Sequence, residues 1–264
     1  MRSILFLTIF IGLSVQTLAQ KKNESEVTKN IYFSYGLVYN LKIDKTYSRL
    51  AKNGFNHFFS FGFEKKYSNK IFSVHGNFMK GTLKTKGNSI NYVDNYGGNF
   101  ILRYLMKNQK LSNDKISFFL GLNANFKGDV WFPQKSELRY GWDIYLGAGV
   151  ATSLLYKINN KLSFRYDLDA PLIGVLWRSH NNGQQLITEE IQSEKGIAAS
   201  AFETPKFSTI FNTIYLDNSF KLFYSISNKL DIFYNLIISY KHIKNPLIKT
   251  GYELNNSFGL NYKF

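Results

Sequence analysis

The chain has no cysteine, only 4 histidines and, after its first residues, no long apolar run. The first absence excludes a disulfide framework, a thiolate metal site and a cysteine nucleophile. The second leaves any acid–base chemistry to His57, His75, His180 and His242. The third excludes a membrane-spanning helix: the one apolar stretch, Ile4 to Val15, falls well short of the ~20 residues a span needs. Acidic residues are sparse as well, 18 against 33 Lys and Arg, and no loop holds a convincing set of oxygen ligands for a metal. No cofactor is expected.

The net charge of +15 is dispersed through turns, loops and strand ends. Nucleic-acid binding would call for a concentrated basic face with interleaved aromatics, so it is not expected. Basic residues at both rims suit anionic lipid headgroups instead. What the chain has in abundance is aromatic side chains, 24 Phe and 18 Tyr, 17% of residues with Trp. Hydrophobic content is nevertheless 44% and mean hydropathy −0.22. Apolar residues that alternate with polar ones give this combination, as in a transmembrane β-barrel.

The two ends carry the pattern further. Met1-Arg2-Ser3 is a short positive start, followed by the apolar run and by Thr17-Leu18-Ala19 ahead of Gln20. This is the layout of a secretory signal peptide over residues 1–19. At the other end Phe258, Leu260, Tyr262 and Phe264 share one face, with Ser257, Gly259, Asn261 and Lys263 on the other. Ser257, Gly259, Tyr262 and Phe264 fit a polar-x-Gly-x-x-aromatic-x-aromatic ending that resembles the C-terminal recognition signal of bacterial outer-membrane β-barrel proteins. That resemblance implies an outer-membrane location, outer-membrane lipids as surroundings and the barrel-assembly machinery as a partner during biogenesis.

Reading at period two gives ten segments: Ile31–Leu41, Phe55–Glu64, Ile71–Lys80, Tyr96–Met106, Ile116–Phe126, Gly141–Tyr156, Leu162–Asp169, Phe207–Ile226, Leu230–His242 and the C-terminal strand. The expectation is an all-β, closed antiparallel transmembrane barrel of about 10 strands over residues 31–264, with 8 or 12 as the other counts. Residues 20–30 form a periplasmic segment in this reading. Connections alternate short (near Ser68, Asn108–Lys115, Asn159 and Ser227) and long (Lys42–Gly54, Gly81–Asn95, Lys127–Tyr140, 178–206 and Lys244–Glu253). Pro171 predicts a bend or bulge, and Phe207–Ile226 leaves room for a break at Asp217-Asn218. A periplasmic β-sandwich would also alternate, but would not need aromatics at nearly every outward position.

The inward positions are charged with mixed sign: Glu64, Arg103, Asp143, Arg165, Asp167, Asp169, Asp217, Lys221, Asp231 and Lys241. They are expected to form ion pairs that fill the lumen, with a polar conduction path through Arg165, Asp167 and Asp169 as the alternative. For catalysis, outer-membrane lipases and deacylases use His-x-Ser on the lipid-facing side, and no His here has that neighbour. Ser73 and His75 are two apart but point inward, and His57 and Ser60 fall on opposite faces. Omptin proteases, the ten-stranded enzyme family, use paired Asp and an Asp-x-His; here Asp94 stands alone and Arg178-Ser179 precede His180.

His180, beside Ser179 and upstream of Glu189-Glu190, is the candidate catalytic residue if there is one. The loop 178–206 also carries an amphipathic pattern over Gln184 to Ser200 and is the expected docking surface for an envelope protein partner. The reading is a non-enzymatic barrel acting as a surface-exposed structural, recognition or accessory component of the envelope. A narrow solute channel, or a lipid or peptide hydrolase, are the alternatives.

Overall fold

The computed structural model describes residues 27–44, 48–85, 88–133, 141–178, 205–244 and 248–264. The signal peptide, His180, Glu189-Glu190 and the amphipathic stretch 184–200 lie outside the described residues. Eleven strands follow one another: β1 (Thr28–Asp44), β2 (Ser48–Lys66), β3 (Lys70–Thr85), β4 (Asn88–Lys107), β5 (Ile116–Pro133), β6 (Gly141–Lys157), β7 (Leu162–Arg178), β8 (Lys206–Thr209), β9 (Thr213–Ser225), β10 (Leu230–Ile243) and β11 (Lys249–Lys263). Consecutive strands pair antiparallel, except that β8 and β9 both pair with β7, and β1 pairs with β11 from Asn30↔Lys263 to Asp44↔Lys249, which closes the sheet.

β8 and β9 are two pieces of one stave, since both run antiparallel to β7. The barrel therefore has ten staves. Following the register once around displaces the starting position by about 12 residues, which for ten strands sets a tilt of about 40°. The start of β1 and the end of β11 lie at one end, called proximal below; the other end is distal.

The outward face explains why these residues form strands in a membrane. Phe33, Tyr35, Phe59, Phe61, Leu122 and Phe258 stand exposed on the exterior, where they would be costly in water and are at home in hydrocarbon. Cross-strand rings touch along this surface, Tyr35 with Phe59 at 5.0 Å and Tyr240 with Tyr252 at 5.1 Å between centroids. Two outward amides interrupt the belt. Asn218 accepts a hydrogen bond from the Tyr166 hydroxyl at 2.7 Å, and Asn256 accepts one from Tyr234 at 2.5 Å. A neighbouring tyrosine thus supplies the partner that lipid cannot.

Three expectations are corrected. The strands run further distally than the sequence reading placed them: within the segments read as long loops, residues 42–44, 48–54, 81–85, 88–95 and 127–133 are ladder. On β2, β3 and β4 the outward residues there, Asn53, Thr82 and Asp94, are polar, which erases the alternation but not the backbone pairing. The strict short–long alternation of connections fails for the same reason. The proximal connection between β4 and β5, 108–115, is longer than the distal connections 45–47 and 86–87.

The break in the eighth stave lies at 210–212, not at Asp217-Asn218. Asp217 faces inward and Asn218 outward within regular pairing, so that pair keeps the period. Beside Pro171 the β6–β7 register slips by one residue, between Ala148 and Gly149. On its other side, β7 spends three residues, 170–172, where the partner chain spends seven, 210–216. The break is closed by its own polar groups. Ile210 N–H donates to Leu172 O at 2.9 Å, and Asn212 Oδ1 accepts from Thr209 N–H at 2.8 Å.

Candidate functional site: two ionic layers across the lumen

Inward side chains converge in two charged layers. The proximal layer is built on Arg103 from β4 and on Arg165, Asp167 and Asp169 from β7. Arg103 grips Asp169 with two nitrogens, Nε to Oδ1 at 2.8 Å and Nη2 to Oδ2, and stands 3.7 Å from Asp167. Arg165 donates to Asp167 at 2.7 Å and to Glu64, across from β2, at 2.5 Å. Lys221 adds a contact to Asp167 at 3.5 Å, and Asn123 donates to Asp169 at 3.0 Å. His75 accepts from Arg103 at 2.9 Å through Nε2, which assigns it the neutral form with its proton on Nδ1. Three cations meet three carboxylates here.

The distal layer draws on more staves. Asp143 holds Lys241 at 3.0 Å, Arg178 at 3.2 Å and Lys249. Asp129 holds Lys42 at 2.8 Å, with Lys241 and Lys249 each 3.6 Å away. Asp44 pairs with Arg178 at 2.5 Å, and Glu253 lies 3.8 Å from Lys42. Lys249 also sits 4.0 Å over the Trp131 ring. Among the described residues four cations meet four carboxylates in these pairs, and Lys52, in register with Lys42, adds a further cation beside them.

Between the layers lies a cavity of about 130 Å³, bounded by Tyr32, Phe58, Ile101, Phe233 and Ile237, with the Lys127–Asp217 pair on its wall. Asn255, 3% exposed, presents both amide atoms to it without a protein partner. An apolar cluster of Tyr145, Leu176, Tyr215 and Ile243 backs the lumen at the level of the broken stave. The Tyr145 ring lies across Gly147 and Gly174, where a Cβ would collide with it. At the proximal rim Asp231 accepts from Lys263 at 2.6 Å and from Asn261 at 2.9 Å.

The residues singled out from the sequence therefore divide as follows. Arg103, Arg165, Asp167, Asp169 and Lys221 share the proximal layer, Asp143 and Lys241 the distal one, Asp217 the cavity wall, and Asp231 the rim. Sequence reasoning missed Lys42, Asp44, Asp129, Arg178, Lys249 and Glu253. All fall in or at the edge of segments read as loops. The signal was available: Lys42 and Asp44 continue the inward parity of Asn40, and Asp129 that of Asn123 and Asn125.

Among the described residues no other histidine stands near these layers. His57 faces outward and bonds the Tyr35 hydroxyl at 2.7 Å; His242 bonds Thr250 at 3.1 Å. Asp94 accepts from Thr82 at 3.1 Å on the outer wall. Among the described residues no three His, Asp or Glu side chains converge on a metal site. In the C-terminal strand Ser257 is buried, Tyr262 and Phe264 are exposed, and Phe264 N–H donates to Lys29 O at 2.9 Å.

No protein family and no characterised protein matches the sequence. Solved structures match the fold. The outer-membrane protease OmpT from Escherichia coli superposes with a TM-score of 0.50 at 8% identity, covering 93% of this chain and 99% of that one. The translocator domain of the autotransporter NalP from Neisseria meningitidis gives 0.39 at 8% identity, covering 100% and 98%. Neisserial surface protein A gives 0.35 at 9%, covering 89% and 97%. At such identity the OmpT likeness establishes the fold. A closed ten-stave barrel with an apolar exterior is a protein of the bacterial outer membrane.

Proposed function

We propose that this outer-membrane β-barrel is a sealed, non-enzymatic component of the envelope that acts through its distal surface, as an anchor or recognition element for another envelope molecule. One observation carries the reading: two layers of ion pairs cross the lumen, one on each side of a small cavity. A permeating solute would have to part hydrogen-bonded pairs that have left bulk water, and breaking one such pair costs about 3–5 kcal/mol. With the lumen closed, the distal strand ends and the connection 179–204 are the surfaces left for recognition.

The test has two arms. Purified protein in planar lipid bilayers is expected to show no stable conductance. Extraction from its native membrane in mild detergent is expected to bring down one partner at near-equal amounts. A steady open level in the unmodified protein sinks the sealed reading, and a clean monomer in the second arm sinks the accessory role.

The cavity between the layers favours a second reading, a narrow channel in which the layers open in turn. It predicts a conductance that changes when Arg165 or Asp169 is neutralised. A hydrolase would rest on His180 alone, and unchanged turnover in His180→Ala removes it.

A further inference from the structure

The apolar exterior does not end at one level around the barrel. On β3 the outward series ends at Phe78, and Lys80 and Thr82 follow; on β4 it ends at Tyr96, followed by Asp94. On β5 it continues past Phe126 through Val130 and Phe132. β6 continues to Trp142, β7 to Trp177, and Phe207 on β8 is 70% exposed. Two residues of a strand tilted about 40° climb about 5 Å along the barrel axis. Carried around the register, Trp142 and Trp177 stand about 8 Å above Lys80, level with the outward Asn53 on β2 and Asp94 on β4.

We propose that the lipid boundary around this barrel is stepped, with the bilayer rising along β5–β8 and with Trp142 and Trp177 marking its raised edge. The strip is continuous with the lipid-facing belt below it, and no charged side chain separates the two. The broken stave fits the same surroundings. Phe211 is 79% exposed at its tip, and several backbone groups at the break find partners within the chain: Asn212 N–H donates to Thr209 O at 3.0 Å, Lys244 N–H to Asn212 O at 2.9 Å, and the Asn212 amide to Phe207 O at 3.3 Å. Internal pairing of this kind is what hydrocarbon demands of irregular backbone. Tryptophan is also the residue that settles at a membrane–water boundary. The partner is thus a lipid surface locally thicker than the one that meets β2–β4, and long-chain lipids are favoured against this side.

The chain carries only 3 tryptophans, which makes the full-length protein its own probe. The third, Trp131, faces inward beneath Lys249 and is 6% exposed. The protein would be folded into phosphatidylcholine vesicles whose acyl chains are brominated near the headgroup. Its emission would be compared with that of a Trp142→Phe/Trp177→Phe variant, folding being verified by the heat-dependent shift in gel migration. The proposal expects loss of the Trp142 and Trp177 emission in brominated vesicles, no quenching of these two by iodide in the water, and an unquenched Trp131 signal from the double variant. Quenching by iodide without quenching by bromine places the strip in water and overturns the proposal. Emission shielded from both overturns it too, because a protein, a second copy included, then covers the strip. If the double variant does not fold, the unmodified chain decides the matter by the same two quenchers.

Discussion

Removing Arg103 tests whether the proximal layer is a single cooperating unit. Its guanidinium holds both oxygens of Asp169, approaches Asp167 at 3.7 Å and donates to His75. Arg103→Met deletes all of these and leaves three carboxylates facing Arg165 and Lys221. A buried carboxylate stripped of its partner costs about 3–5 kcal/mol. Asn123 still donates to Asp169 at 3.0 Å, so the lower end of that range is expected. Asp169→Leu alone leaves Arg103 with His75 and, as its one carboxylate, the more distant Asp167, and should cost a similar amount.

The double variant removes one charge of each sign, and a buried pair exchanged for apolar groups of similar volume is often close to neutral in stability. The double should therefore cost far less than the sum of the singles, about 6 kcal/mol, which is well outside additivity. Urea unfolding of the vesicle-embedded protein, followed by tryptophan emission, measures it. Single substitutions each costing under about 1 kcal/mol, with an additive double, would refute the argument; the layer would then be hydrated well enough to screen its pairs.

Tyr166→Phe should destabilise the barrel by about 1–3 kcal/mol, because Asn218 would face lipid without its hydroxyl donor; adding Asn218→Leu should restore stability, measured by the same unfolding assay. Asn212→Ala removes the acceptor of the Thr209 N–H and a donor to Phe207 O, and should cost about 1–2 kcal/mol while raising hydrogen exchange of β8 far more than that of β10. Phe264→Ala is expected to lower the amount of barrel assembled in the outer membrane of cells, by fractionation, while leaving the stability of protein folded in vitro within about 1 kcal/mol. A larger loss of in vitro stability would make Phe264, exposed and 6.3 Å from the Tyr262 ring, a packing residue rather than an assembly signal.

The architecture was legible wherever lipid imposes its alternation. Phe33 to Leu37 on β1 and Leu230 to Tyr240 on β10 declare their faces because an outward polar residue there is expensive. Pro171 announced its irregularity through its missing N–H, and the register slips beside it. Beyond the membrane the exterior has no such demand. Asn53, Thr82 and Asp94 point outward as readily as any loop residue, so strands that continue for several more pairs read as connections. The cost fell on the candidate site. The proximal layer lies inside the alternating zone and its members could be named, whereas Lys42, Asp129 and Lys249 of the distal layer lie past it. The break at 210–212 gave no composition signal, since Ile210 and Phe211 look like further strand; the cause is a surplus of residues against β7, which only pairing shows.

Pairing of the first strand with the last also bears on how such a chain reaches its folded state. Until Asn30 lies against Lys263, β1 and β11 each present a bare row of donors and acceptors that neither water-free lipid nor any other part of the chain can satisfy. That contact spans nearly the whole sequence, so it carries the largest loop-closure entropy in the molecule and comes last. A ribosome or export channel that stalls partway delivers a sheet with two open edges and a strong tendency to aggregate. Half a barrel is therefore of no use to the cell. The ring must be received whole, and something must shield its edges until the ends meet.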